Sequence, residues 1–167
     1  MVKESEILVA VRNQLKTVYP DYPVYLEETK ENFKSPCFFL KMIRSTNMQN
    51  KFVNKNEINI YITFFAEKNK LDSLQLYDVK DTIIELFWQG MWVKTKGKEK
   101  PRHFNLGPIS VQTEGTEADI IYWDIPCTYI DSVKHPDEDT FPILKKMWLS
   151  LDGQDSHLCV DVSENEN

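Results

Sequence analysis

The chain has 167 residues, enough for one domain with a sizeable core. With 41% hydrophobic and 28% charged residues it has the composition of a folded protein, so wholesale disorder is not expected. No apolar run reaches the roughly 18 residues of a membrane span. The opening Met1-Val2-Lys3-Glu4-Ser5-Glu6 places acids where a signal peptide has its positive region, so the expected starting compartment is the cytoplasm.

The net charge of −6 is uneven. Residues 132–167 hold eight acids against three lysines, which leaves residues 1–131 nearly neutral. A neutral body with an acidic tail lacks the positive field that sequence-independent nucleic-acid binding requires, so no specific nucleic acid is expected as a partner. Cys37, Cys127 and Cys159 have no close spacing, which argues against a disulfide framework or a metal knuckle. Cys37 and Cys127 sit in apolar runs and read as buried, reduced thiols.

In chain order, Ile7, Leu8, Val11, Leu15 and Val18 fall on one face of a helix over residues 4–18. Tyr19-Pro20-Asp21-Tyr22-Pro23 ends it, and Val24-Tyr25-Leu26-Glu27 follows as a short strand. Cys37 to Ile43 is apolar on both parities until Lys41, which predicts a strand covered on both faces and central in its sheet. Ile58, Ile60, Ile62 and Phe64 alternate with polar residues as a half-buried strand. The short polar connection before it makes the two strands an antiparallel hairpin, with Lys51 to Lys55 as an arm extending beyond the core.

A second helix starts at the capping pattern Asp72 with Gln75, presents Leu76, Val79, Ile83, Leu86 and Phe87 on one face, and stops at Gly90. Tyr77, Ile84 and Trp88 form a second apolar flank, expected to enlarge the core contact or to meet another subunit. Met91-Trp92-Val93 is followed by a basic turn, Lys94 to Arg102, then by a strand around Ile109–Thr113. The last strand places Ile121, Trp123, Ile125, Cys127 and Tyr129 inward, with Pro126 calling for an edge or a bulge. The expected order is α, β, β, β, α, β, β, β, an α+β fold with a mainly antiparallel sheet and two helices packed on it. From Ser132 the character changes to a linker, a short apolar helix-like patch of Ile143, Leu144, Met147 and Trp148, and an acidic end. The expected division is therefore a domain over 1–131 and an extension over 132–167, whose patch docks on its own domain or on a neighbour.

Signals for chemistry are sparse. The histidines lie far apart, no phosphate loop or dinucleotide fingerprint is present, and Asp137-Glu138-Asp139 lacks the spacing of a calcium loop. No catalytic residue, metal or cofactor is expected. Glu114, Glu117, Asp119 and Asp124 with Lys94 or Lys96 can be drawn as a magnesium nuclease, but acids around a turn are ordinarily solvated.

Four stretches in fixed order carry a resemblance: Pro20-Asp21-Tyr22-Pro23-Val24-Tyr25-Leu26-Glu27-Glu28, Ser35-Pro36-Cys37-Phe38-Phe39-Leu40-Lys41, the strand ending Ile58 to Phe65, and Leu76-Tyr77-Asp78-Val79. As a set over residues 5–131 they resemble the tail terminator family of prophages of Gram-positive bacteria and of phage-tail-like particles. The resemblance implies a structural subunit, not an enzyme, that forms a ring, usually of six, on the finished tail tube. It stops tube polymerisation and offers a surface to the head or neck. Its implied partners are copies of itself and the tail tube protein, with sheath and neck or connector proteins beyond, and its implied place is the virion tail or a tail-like particle after assembly in the host cytoplasm. A ring subunit presents two different patches to its neighbours. The arm residues Arg44, Lys51, Phe52, Val53 and Lys55 are the candidate contact with tube or neighbour, and Lys94, Lys96, Lys98, Lys100 and Arg102 the second. A head-tail joining protein is the alternative in the same setting, and a metal-dependent phage nuclease the alternative from another class.

Overall fold

The structure, a computed structural model, describes residues 1–26, 33–67, 73–115 and 119–132. The chain divides into two units, Met1–Val133 and Lys134–Asn167, and every described residue belongs to the first. The expectations for Glu27, Asp72, Glu117, the patch Ile143–Trp148 and Cys159 lie outside the described residues.

Helix α1, Glu4–Val18, buries Ile7, Leu8, Val11 and Leu15, the residues whose spacing marked its apolar face. Val18, expected on that face, is exposed. Its place against the core is taken by the turn that follows, where Tyr19 stacks on Tyr22 at 5.2 Å and meets Phe38 at 5.3 Å between ring centres. Lys16 Nζ ties that turn to the helix, donating to the carbonyls of Pro20 and Tyr22 at 2.7 Å each.

Strands β1 (Val24–Leu26), β2 (Cys37–Met48), β3 (Val53–Phe65), β6 (Ser110–Glu114) and β7 (Ile120–Ser132) form one sheet in the order β1-β2-β3-β7-β6. All neighbours are antiparallel except β1 and β2, so the sheet is mixed. Strand β3 is the middle one of the five and β2 lies beside it, an interior strand between β1 and β3 that is buried on both faces over its first four residues, as its apolar run predicts. Phe38, Leu40 and Met42 face the helices, while Cys37 and Phe39 face the opposite side, where Phe33, Phe39 and Phe65 pack with ring centres about 5 Å apart. Burial pushes the thiols of Cys37 and Cys127 up to about 11, as expected for inert packing groups.

Helix α2, Ser73–Trp88, adds Leu76, Val79, Ile83 and Phe87 to the core formed by α1 and the inner sheet face, with Trp123 fully buried in it. Two further strands, β4 (Met91–Val93) and β5 (Arg102–Phe104), pair as a separate small sheet. The basic turn is therefore the loop of a hairpin, and Arg102 belongs to a strand the sequence pattern did not reveal; three residues are too few to show alternation. Pro126 lies in β7 past the reach of β6, whose pairing ends two residues earlier at Ser110–Asp124, so that flank of the strand is a local edge, as a residue without an N–H requires; there the Gly107 N–H donates to the Pro126 carbonyl.

Gly90 stops α2 at a φ of +82°, and a Cβ there would collide with the Phe104 carbonyl and lie 2.9 Å from the His103 ring. Gly97 has the same φ in the β4–β5 loop with nothing within 4 Å. Gly97→Ala should therefore lose only the roughly 1–2 kcal/mol of a left-handed alanine, whereas Gly90→Ala should lose clearly more, as read from urea unfolding midpoints of the two variants.

Candidate assembly surface

The arm begins where the apolar stripe of the sheet ends. On the inner face Ile58 of β3 and Tyr129 of β7 are the last core residues, and the next inward positions are Asn56, Asn54 and Asp131. These three are buried although polar. Burying such groups is costly unless they are bonded, so the segment depends on partners from elsewhere in the chain.

Asn56 Oδ1 and Asp131 find partners in Arg44, Arg102 and the first residues of the chain, whereas Asn54 Oδ1 and Asn56 Nδ2 have none among the described residues. The Val2 backbone N–H donates to Asp131 Oδ2 at 2.6 Å, and the Val2 side chain is buried in the core cluster. Arg44 donates through Nη2 and Nε to Asn56 Oδ1 at 2.7 and 3.2 Å and reaches the Val2 carbonyl at 3.4 Å. Arg102 places Nη1 3.7 Å from Asp131 Oδ1 and donates to the Ile130 carbonyl at 2.5 Å. Both guanidiniums lie over the Tyr129 ring, at 5.9 and 5.5 Å from its centre, and Phe104 packs edge-on against it at 4.8 Å. Burial raises the Tyr129 phenol above its ordinary value, so the ring is a neutral platform between two cations.

The arm is three-stranded. β2 and β3 pair from Cys37–Phe65 to Met48–Asn54, and β3 and β7 pair from Phe65–Ile120 to Val53–Ser132. The tip is a tight turn in which the amides of Gln49 and Asn50 both donate to the Val53 carbonyl, at 2.9 and 3.2 Å. Met48 is 78% exposed and Lys51 is exposed, while Phe52 and Val53 are half-buried. Lys55 pairs with Glu57 at 2.7 Å on the surface, a contact worth little to stability. Of the candidate arm residues, Lys51, Phe52 and Val53 thus share the tip, whereas the Arg44 guanidinium is engaged inside the chain.

In the second candidate group Lys94, Lys96, Lys98 and Lys100 are exposed on the β4–β5 loop, and Arg102 is drawn into the Asp131 cluster. The loop is anchored to α1 by Glu6, whose Oε1 accepts the Lys96 N–H at 2.7 Å while Oε2 accepts the Lys3 N–H at 2.9 Å. These two bonds, that of Lys96 first, hold the Glu6 carboxyl below its ordinary value. Of the acids in the nuclease drawing, Glu114 pairs with Ile120 and Asp124 with Ser110, at opposite ends of β6, and both line one hollow with Tyr61, Gln112 and Tyr122, while Glu117 lies outside the described residues. Among the described residues no three His, Cys, Asp or Glu side chains converge as metal ligands, and no helix is long and apolar enough to cross a membrane.

Asp131, Asn54 and Asn56 were missed as candidates. The signal was present: Asp131 continues the inward parity of Ile121 to Tyr129, and the two asparagines continue that of Ile58 to Phe64. A polar residue at an inward position demands a built partner. Asp131→Ala should leave the Val2 N–H without its acceptor and Arg102 without its ion partner, and lower stability by about 1–3 kcal/mol, whereas Lys55→Ala should change it little; chemical denaturation of both variants checks this.

The family model described as "Phage tail terminator protein" matches residues 6–118, more than half of the chain. No curated protein matches it. Among solved structures, one chain of 14% sequence identity aligns over 82% of this protein and 100% of its own length at a TM-score of 0.43. On the family match, which spans both helices, the sheet through β6 and the arm's first two strands, the protein belongs to the phage tail terminator family, whose role is a structural one in completing the tail.

Proposed function

We propose that this protein caps the end of the tail tube as a closed ring of copies, six in number, stopping tube polymerisation and presenting its far side to the head or neck. Its partners on this reading are further copies of itself and the tail tube protein, with sheath and neck or connector proteins on the outer side. Its place is the virion tail or a tail-like particle, reached from the host cytoplasm.

The family match carries the reading, and the observation that gives it a working part is the three-stranded arm. A subunit that must halt a growing polymer has to occupy the groups to which the next ring would bind, and a stiff extension with an exposed tip suits that task. The tip brings Lys51, Phe52 and Val53 together beside the exposed Met48, offering an apolar contact with a basic rim. The Lys94–Lys100 loop is the second contact.

The test is the length distribution of tubes polymerised from the cognate tube protein with and without this protein, read by negative-stain electron microscopy. Length-limited tubes with an extra ring at one end are expected. Phe52→Asp combined with Val53→Asp should keep the circular dichroism of the wild type and lose length control. Unchanged tube lengths and bare ends with the wild-type protein would overturn the capping reading.

A further inference from the structure

Helix α2 turns one stripe outward. Leu74, Tyr77, Asp78, Asp81, Glu85 and Trp88 follow at spacings of three and four, so they lie in line along its exposed side. The ends of the stripe are apolar, with Leu74 74% and Trp88 78% exposed, and its middle holds three acids. Lys80, the cation on the same helix, is turned aside over the Tyr77 ring toward Thr113 Oγ1 at 3.2 Å. A second apolar feature lies on another element set. Between α1 and β4 there is an open hollow of about 480 Å³, where Val9, Ala10, Met91 and Trp92 supply the apolar wall and Asn13, Gln14 and Thr17 of α1 a polar one, with Val9 and Trp92 largely exposed. Its rim carries Lys94 and continues into Lys96, Lys98 and Lys100. The one acid on the rim, Glu6, already accepts two backbone N–H groups.

We infer that the α2 stripe of one copy docks on the α1–β4 hollow of the next, with Trp88 entering the hollow beside Val9 and Trp92, and with Asp81 and Glu85 against the lysines of the β4–β5 loop. Charge selects this pairing over the symmetric ones. Two α2 stripes face to face would oppose acids, and two β4–β5 loops would oppose lysines, each of which is costly. Stripe against hollow is attractive in both the apolar and the charged part. Because the two patches differ, the contact is head to tail, the kind that closes into a ring when its rotation permits. An exposed tryptophan entering an apolar hollow ringed by polar groups also has the form of an interface anchor. This joint is the neighbour contact of the proposed ring and rests on that reading, while the arm is left free for the tube.

The test mixes two single-cysteine partners, Trp88→Cys and Val9→Cys, each also carrying Cys159→Ser; Cys37 and Cys127 are buried. The mixture is oxidised at high protein concentration and, separately, with the cognate tube protein. A mixed disulfide dimer is expected, absent when Met48→Cys replaces Trp88→Cys. In a second arm, Asp81→Lys with Glu85→Lys, or Lys94→Glu with Lys98→Glu, should each weaken self-association about tenfold or more. A chain carrying all four changes should regain it. No mixed disulfide in either condition, or a fourfold variant no better than the two pairs, would overturn the inference. Trp88→Glu copies that still ring and limit tubes would overturn the joint and leave capping standing, whereas wild-type copies that cross-link but never limit tubes would overturn capping and leave the contact.

Discussion

Strand β3 is hydrogen-bonded on both sides along its whole length, from Val53 to Phe65. Side chains alternate with a period of two, so a slip of one residue against β2 or β7 would turn Ile58, Ile60, Ile62 and Phe64 away from the helices and bring Glu57, Asn59 and Tyr61 in their place. Four buried large side chains at about 1.5–3 kcal/mol each make that slip prohibitive. The same register that protects the core also carries the sheet past it, because β2 and β7 remain paired to β3 beyond the reach of the core cluster.

Past that point the inward positions are polar, and the chain meets the problem in part with bonded groups, while Asn54 Oδ1, Asn56 Nδ2 and the Tyr129 hydroxyl are buried with no hydrogen-bond partner among the described residues. Arg44, Asn56, Asp131 and Val2 form a short chain of hydrogen bonds, and Arg102 and Phe104 of the small sheet pack on Tyr129. Strands β2, β3, β5 and β7 and the residues before α1 therefore meet at the root of the arm, where the buried Val2–Asp131 bond counts for more than a surface pair. Held at its root by the residues before α1, β5 and β7, the arm is an extension of the core sheet.

Much of this was legible in the sequence because periodicity reports burial directly. α1 ends where Pro20 and its neighbours forbid helix, β3 and β7 show their inward parity in strict alternation, and the fold class follows from the order of elements. What was hidden depends on distance in sequence. The parallel β1–β2 pair and the β4–β5 hairpin involve three residues a side, below the length at which alternation can be seen. Arg44 and Arg102 read as surface charges because their partners, Asn56, Val2 and Asp131, lie up to 42 residues away along the chain. Trp88 was visible as part of a second flank on α2, yet only the packing shows that this flank faces outward while Ile84, beside it, is half-buried.

On the proposed function the arm must be a rigid continuation of the core and not a frayed hairpin. Amide hydrogen exchange along β3 tests this directly, since each residue reports the free energy of opening its own bond. Asn54, Asn56 and Ile58 should be protected to a degree comparable with Ile60 and Ile62, with protection falling only at the Gln49–Phe52 turn. Exchange of Asn54 and Asn56 at the rate of an open chain, while Ile60 and Ile62 stay protected, would contradict it.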